Sequence, residues 1–255
     1  METITVIIPA FQEEMQIEQC ISSVIRWCNE VVVVWMGTDK TGEVARKLGA
    51  TVYTRNTSSQ PNFKKVQENI NWAVEQVKTD WILRIDADEV VTEKLKNEIQ
   101  NVLSKNIQSP VAYGIPRSQY FWGGFLKGGD WAYDRLVRFF KKGYAFYDES
   151  VLVHEQLSVK GAIGYLSSPL LHYSHPTLQN AVEKFNIYTS LEAKDIHDSK
   201  VVAFFKMCLL PPYIFLRWMI WHHGWKDGLR GVVAGLFRGW YDFSLYAKYL
   251  GLIKK

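Results

Sequence analysis

Apolar runs of strand length alternate with amphipathic helical patterns from the start of the chain. Residues 3–9 read as a buried strand, and Ile17, Cys20, Ile21, Val24 and Ile25 then recur on one helical face. Residues 31–34, all valine, predict the next strand. Residues 41–48 form a short helical pattern closed by Gly49, residues 51–54 a third strand, and Phe63, Val66, Ile70, Ala73, Val74 and Val77 the face of a longer helix. Residues 81–85 are a fourth strand. With helices between the strands and no hairpin signal, the connections are right-handed crossovers and the sheet is mostly parallel, covered on both faces.

Past a helix capped near Thr92 (Leu95, Ile99, Val102, Leu103), the pattern changes to short strand-like pieces at 112–115, 136–140 and 150–153, interrupted by Gly123-Gly124 and Gly128-Gly129. From Thr177 onward everything reads helical. Residues 201–221 have the length of a membrane span, but Lys206, Arg217 and Pro211-Pro212 interrupt them, which predicts a helix lying in the interface and broken at the prolines. The expected organisation is an α/β domain over 1–198 and a helical tail over 199–255.

Composition narrows the class. A chain of 255 residues with 47% hydrophobic and 22% charged positions is globular, with a core that needs no staples. Three cysteines, Cys20, Cys28 and Cys208, lack metal or redox spacing, which fits a reducing compartment. No basic n-region or cleavage site precedes the first strand, so a secretory signal is not expected. The net charge of +4 is uneven: residues 1–195 net −2 and residues 196–255 net +6. That tail also carries Trp218, Trp221, Trp225 and Trp240. Basic plus aromatic composition beside long apolar runs suits anionic lipid better than nucleic acid.

In an open parallel sheet, ligands sit beyond the carboxyl ends of the strands. Here those ends are polar: residues 9–14 (Pro-Ala-Phe-Gln-Glu-Glu), Gly37, Thr38 and Asp39, and Asp86, Ala87, Asp88 and Glu89. None forms a dinucleotide-binding or Walker loop. Asp86 and Asp88, two carboxylates leaving a buried strand, can offer oxygen ligands to Mg²⁺ or Mn²⁺ while a bound diphosphate supplies others. Taken alone, the triplet could equally be acid at the start of the next helix. Its place opposite two other polar strand ends favours the metal.

These motifs, together with Gly128-Gly129, Val153-His154-Glu155 and residues 169–174 (Pro-Leu-Leu-His-Tyr-Ser), span most of the chain in order. The sequence resembles glycosyltransferase family 2, with the GT-A fold, and within it the bacterial lipopolysaccharide-core type of glucosyltransferase. The resemblance implies an α/β fold, a GT-A type mostly parallel sheet with flanking helices, plus a C-terminal helical membrane-associating region. It implies a nucleotide-sugar site at Pro9, Phe11, Glu13, Trp35, Asp39, Asn69, Asn71 and Asp86. The metal ligands would be Asp86, Asp88 and His154, with His172 a second candidate histidine. Asp134 resembles the acid of the acceptor-side loop and would be the general base, with Asp130 and Glu155 in reserve; an ion pair with Arg135 or Arg138 is its structural alternative.

Three positions depart from the family pattern: Gln12 for Asn, Trp35 for an Asp and Ile70 for a Lys. Trp35 could stack on a base or fill a pocket. The activity implied is an inverting, β-forming transfer of hexose from a UDP-sugar to a lipid-linked glycan acceptor in cell-envelope polysaccharide or lipopolysaccharide biosynthesis. The enzyme would be peripheral at the cytoplasmic face of the inner membrane. A nucleotidyltransferase is disfavoured because residues 10–14 are acidic. A catalytically inactive membrane-bound scaffold stays open as the alternative.

Overall fold

The computed structural model describes residues 2–59, 63–105, 108–148 and 157–253. Its elements in chain order are β1 (Ile4–Ala10), α1 (Ile17–Ser22), β2 (Glu30–Trp35), α2 (Thr41–Lys47), β3 (Thr51–Thr54), α3 (Phe63–Gln76), β4 (Trp81–Arg84), β5 (Glu89–Val91) and α4 (Glu93–Lys105). There follow β6 (Ala112–Phe121), β7 (Gly124–Phe125), β8 (Arg135–Lys141), β9 (Ala145–Tyr147), β10 (Leu157–Val159), β11 (Ile163–Tyr165) and β12 (Leu170–His175). Three helices close the chain: α5 (Leu178–Glu192), α6 (Lys200–Ile220) and α7 (Leu229–Tyr249). The expected strand at 150–153 lies outside the described residues.

Two compact units emerge: residues 1–117 with 135–172, and residues 118–134 with 173–255. The expected division at 198/199 falls inside the second unit, where the Ser199 hydroxyl accepts from the Val202 N–H and caps α6. In the first unit the strand order is β3-β2-β1-β4-β8-β6. The first four strands are parallel, as the alternation of runs predicts. All seven β1 residues are buried. Ile4, Val6 and Ile8 enter one core with α1 and α4, while Ile7 joins Val32, Val34, Ala73 and Val77 on the other face, the period-two alternation of a strand covered on both sides. Ala10 pairs with Trp35 and Trp35 with Thr54, so the polar strand ends align along one edge.

The remaining strands depart from the local pattern. β8 inserts antiparallel between β4 and β6, and β6 continues past Ile115 through Pro116 to Phe121. The three-residue β5 starts at Glu89 and pairs antiparallel with the first half of β12, setting His172 opposite Glu89.

The second unit is built on aromatic packing. Phe121, Leu126, Ala181, Trp218 and Ala234 form its buried centre, with Trp131 and Phe237 against it. The Trp218 indole N–H donates to the Gly231 carbonyl at 2.9 Å. Contrary to the expected break, α6 runs as one helix through Pro211 and Pro212. Prolines remove backbone donors and crowd the preceding turn. Here α7 packs on that turn through Gly239, where a Cβ would stand 3.0 Å from the Pro211 carbonyl oxygen, so tertiary packing holds the helix together. α6 is also the helix among the described residues long and apolar enough to cross a membrane, with mean hydropathy 1.4.

A buried cation ties α5 to α7. Lys248 is 2% exposed, and its ammonium donates to the Asn186 carbonyl (2.7 Å) and Oδ1 (2.6 Å), Thr189 Oγ1 (2.8 Å) and Ser190 Oγ (2.8 Å). Replacing it with Met strands several acceptors against an apolar chain, at a cost of about 1–3 kcal/mol. Lys248→Met should therefore melt several degrees below wild type with unchanged far-UV circular dichroism. An unchanged Tm would show that these dipoles do not hold the helices together.

Candidate active site

The acidic residues after β4 form a tight turn. The Glu89 N–H donates to the Asp86 carbonyl at 3.0 Å, and the Asp86 N–H donates back to Glu89 Oε2 at 2.8 Å. From below, the Cys20 thiol donates to the Asp86 carbonyl at 3.4 Å. Helix α4 does not use the triplet as its cap: Thr92 Oγ1 accepts from the Leu95 N–H at 3.1 Å. The capping alternative therefore has another residue in its place.

Around the turn stands a ring of charge. Asp86 meets Arg84 Nη2 at 2.9 Å and Arg138 Nη2 at 2.6 Å, both arginines being nearly buried. Glu89 is fully buried, with Arg117 Nη1 at 3.4 Å and Arg138 Nη2 at 3.8 Å. Asp88 lies 3.3 Å from His172 Nε2. Burial first, and then the Asp86 charge, push the Glu89 carboxyl up to about 7 against the pull of Arg117 and His172. Burial works to lower His172, but the Asp88 carboxylate outweighs it and the imidazole is raised. The Cys20 thiol is pushed well up by burial, then by Glu89 and Asp88.

The other strand ends are knotted together by Asp39. Its carboxylate accepts from Thr41 Oγ1 (2.7 Å), the Thr41 N–H (3.3 Å), the Glu14 N–H (3.3 Å) and the Trp35 indole N–H (3.3 Å). Thr41 Oγ1 in turn accepts from the Glu13 N–H at 2.9 Å. The Trp35 ring lies on α2 at Gly42, where a Cβ would come within 2.6 Å of it. One indole face and its polar edge are thus engaged by the protein.

Pro9 is buried inside β1 and Phe11 is half-buried just beyond it. On α3, Asn69 is buried and its Oδ1 accepts from Arg55 Nε (3.1 Å) and Asn56 Nδ2 (2.8 Å); Arg55 also joins Trp35 through a backbone bond. Asn71 grips the Tyr147 backbone, donating to its carbonyl and accepting from its N–H, both at 2.9 Å. Its amide ties α3 to β9. Ile70 is fully buried as core.

Since β2 and β4 flank β1, the Trp35–Asp39 corner and the Asp86 turn stand about 10 Å apart along one sheet edge. His154 and Glu155 lie outside the described residues. Asp134 and Asp130 belong to the second unit. Asp134 follows a 3₁₀ turn at Asp130–Tyr133 and accepts from Gln119 Nε2 at 3.4 Å; Gln119 Oε1 accepts from Ser174 Oγ. Its foreseen arginine partners go elsewhere, Arg138 to Asp86 and Glu89, and Arg135 over the Tyr165 ring. Asp130 pairs with Arg217 and His222.

Among the described residues no cluster of three or more His, Cys, Asp and Glu has metal-binding geometry. The donor chemistry at the turn nonetheless fits a divalent ion: two carboxylates two residues apart, with the half-buried His172 imidazole against Asp88. Its Nδ1 is buried and finds no partner among the described residues. Sequence reading placed Glu89 among the polar strand ends without a role, and did not bring Arg84, Arg117 and Arg138 to this site. Arg84 carried the one available signal, a cation ending an otherwise apolar strand.

The sequence profile described as glycosyl transferase family 2 matches residues 5–155. The chain is 27% identical over 239 residues to the lipopolysaccharide core biosynthesis glycosyltransferase LpsC of Rhizobium meliloti (strain 1021), covering 92% of this chain and 87% of that protein. It is likewise 27% identical over 260 aligned positions to an uncharacterized glycosyltransferase of Rickettsia typhi, covering 97% and 87%. Among solved structures, the crystal structure of S. aureus TarS superposes with a TM-score of 0.50 at 14% identity, over 89% of this chain. The chain spans 46% of TarS, and the likeness concerns the fold.

Arg138 is the side chain that reaches both Asp86 and Glu89. Arg138→Gln leaves those carboxylates facing each other in a poorly solvated turn, and should lower unfolding free energy on the order of 3 kcal/mol. Arg138→Lys should restore only part of it, because an ammonium lacks the guanidinium fork. Chemical denaturation of the three proteins checks this, and equal midpoints would refute the central role of Arg138.

Proposed function

The chain belongs to glycosyl transferase family 2, and from that premise we propose that this glycosyltransferase is a metal-dependent, inverting hexosyltransferase using a UDP-sugar. The acceptor is a lipid-linked glycan of cell-envelope polysaccharide or lipopolysaccharide biosynthesis, a reading supported by the similarity to LpsC. The observation that carries the proposal is the Asp86-Ala87-Asp88 turn at the carboxyl end of β4, with His172 held on Asp88.

Asp88 and His172, with Asp86, would hold Mg²⁺ or Mn²⁺, which when bound neutralises the departing diphosphate. Arg84 and Arg138 fix the Asp86 carboxylate in one orientation. Glu13 and Asp39 order the loops that flank the nucleoside, through Thr41. Asp134 takes the proton from the acceptor hydroxyl as its oxygen attacks the anomeric carbon from the face opposite the diphosphate, giving a β-glycoside.

The helical region docks on the cytoplasmic face of an anionic membrane. Val201, Phe204, Phe205, Leu209, Leu216 and Ile220 of α6 are exposed, and residues 196–255 net +6. Apolar insertion and headgroup attraction both follow.

Hydrolysis of UDP-glucose with and without Mn²⁺ tests the chemistry. Asp88→Ala should reduce it by about 100-fold or more, the scale of losing one charge-stabilising group, with its melting profile retained. Full activity in excess chelator would exclude the metal, and a folded protein that neither binds nor hydrolyses any nucleotide sugar would be the scaffold. Asp134→Asn should slow transfer by about 10²–10⁴-fold while sparing UDP affinity; weakened UDP binding instead would make Asp134 structural.

Membrane docking has its own measurement. Binding to anionic vesicles should fall but persist as salt rises, because the charge part is screened and the apolar part is not. Neutral vesicles should bind less. Retention through alkaline carbonate extraction would make α6 a true span, and indifference to vesicles would make it a subunit contact.

A further inference from the structure

Within the second unit, an open surface depression of about 400 Å³ is lined by Trp122, Asp227, Leu229 and Arg230. It lies at the small end of the roughly 300–1,000 Å³ range of ligand pockets. Trp122 keeps 38% of its surface exposed and has φ +40°, in the left-handed region that a bulky side chain adopts only where its surroundings hold it. Trp122 and Gly123 are the two turn residues between the paired Phe121 and Gly124, both with positive φ, so the hairpin sets this backbone and presents the indole at its tip.

The polar groups beside the indole are fixed. Arg230 Nε donates to the Trp122 carbonyl at 3.2 Å, and its guanidinium lies flat over Gly124, where a Cβ would stand 2.6 Å from Nη1. Any larger residue at 124 would displace that cation. The Asp227 carboxylate accepts from the Lys127 and Gly128 N–H groups at 2.9–3.0 Å, which anchors the loop and offsets part of the acid's charge. With exposed Lys127 and Lys226 adjoining in sequence, cations outnumber the acid. An aromatic face, a held guanidinium and a carboxylate together complement a pyranose ring: its C–H face on the indole, its hydroxyls and an anionic substituent toward the planar polar groups.

We propose that this depression is a subsite for a sugar ring bearing a phosphate or carboxylate, one residue of the acceptor glycan. This rests on the glycosyltransferase reading above and deepens it. Trp122 supplies the stacking platform, and Arg230 pairs with the anionic group.

The test titrates the full chain with glucose 6-phosphate, glucose, inorganic phosphate and a short-chain phosphatidylglycerol, reading affinity by calorimetry in every protein and the Trp122 indole N–H by NMR in those that keep it. Glucose 6-phosphate should bind about tenfold more tightly than the other three, the worth of one charge-assisted contact. Arg230→Gln should bring it level with glucose, and Trp122→Ala level with phosphate. Trp122→Phe, which keeps an aromatic face, should retain most of the binding, so a failure of the alanine variant to fold does not remove the test. UDP binding with Mn²⁺, followed on the same samples, reports the donor site separately: its loss in wild type sinks the donor reading, whereas its presence without sugar-phosphate binding sinks only this one. No saturable shift of the Trp122 signal, tighter binding of phosphate or lipid than of the sugar phosphate, or variants that bind like wild type would each overturn the proposal.

Discussion

Holding three acids at the end of one strand is the constraint on which the first unit turns. Asp86, Asp88 and Glu89 lie within four residues, Glu89 is wholly buried, and a buried charge without a partner is among the most expensive features a fold can contain. The compensation arrives from separate elements. Arg84 comes from β4 itself, Arg138 from β8, Arg117 from β6 and His172 from β12. This gives the antiparallel half of the sheet its physical purpose. β8 lies beside β4 and carries Arg138 to Asp86, and β12 pairs with β5 so that His172 stands opposite Glu89. Strand order and charge balance are one requirement.

The same constraint explains what could be read in advance. β1 to β4 were legible because each is a run of β-branched and apolar residues bounded by helical periodicity, information contained within some ten neighbouring residues. β5 was not, because its three residues, Glu-Val-Val, acquire strand character only from a partner about 80 positions later. Asp86 and Asp88 stood out by spacing. The burial of Glu89 did not, since an acid following two acids looks solvated until the arginines of distant strands surround it. Asn71, an amide on the expected pocket helix, also has a structural task that no local pattern announces, satisfying the backbone of Tyr147.

In the second unit, composition revealed helices and an apolar, basic character, yet misjudged the proline pair. A proline's cost in a helix depends on whether the crowded turn can be held by something else, and the glycine that lets α7 approach lies 28 residues away from Pro211. Lys248 was equally silent. As a lysine in the last turn of a helix it reads as an ordinary favourable end charge, while in the fold its ammonium is enclosed by the neutral oxygens of α5.

Charge accounting at the turn also bears on the proposed binding of a diphosphate there. Three guanidinium groups and one raised imidazole face three carboxylates, one of which, Glu89, is held toward its neutral form by burial. The cluster is therefore balanced to slightly positive before any ligand arrives. A turn of three unopposed acids would repel a diphosphate, and a turn with only arginines would hold it without leaving oxygen donors for a divalent ion. Under the proposed chemistry, interleaving the two would meet both demands, cations for the diphosphate and carboxylate oxygens for the divalent ion, whereas a glycine-rich loop offers a phosphate its backbone N–H groups. For a diphosphate bound as proposed, the arginines around the end of β4 would do the work of the glycine cradle that the end of β1 does not carry.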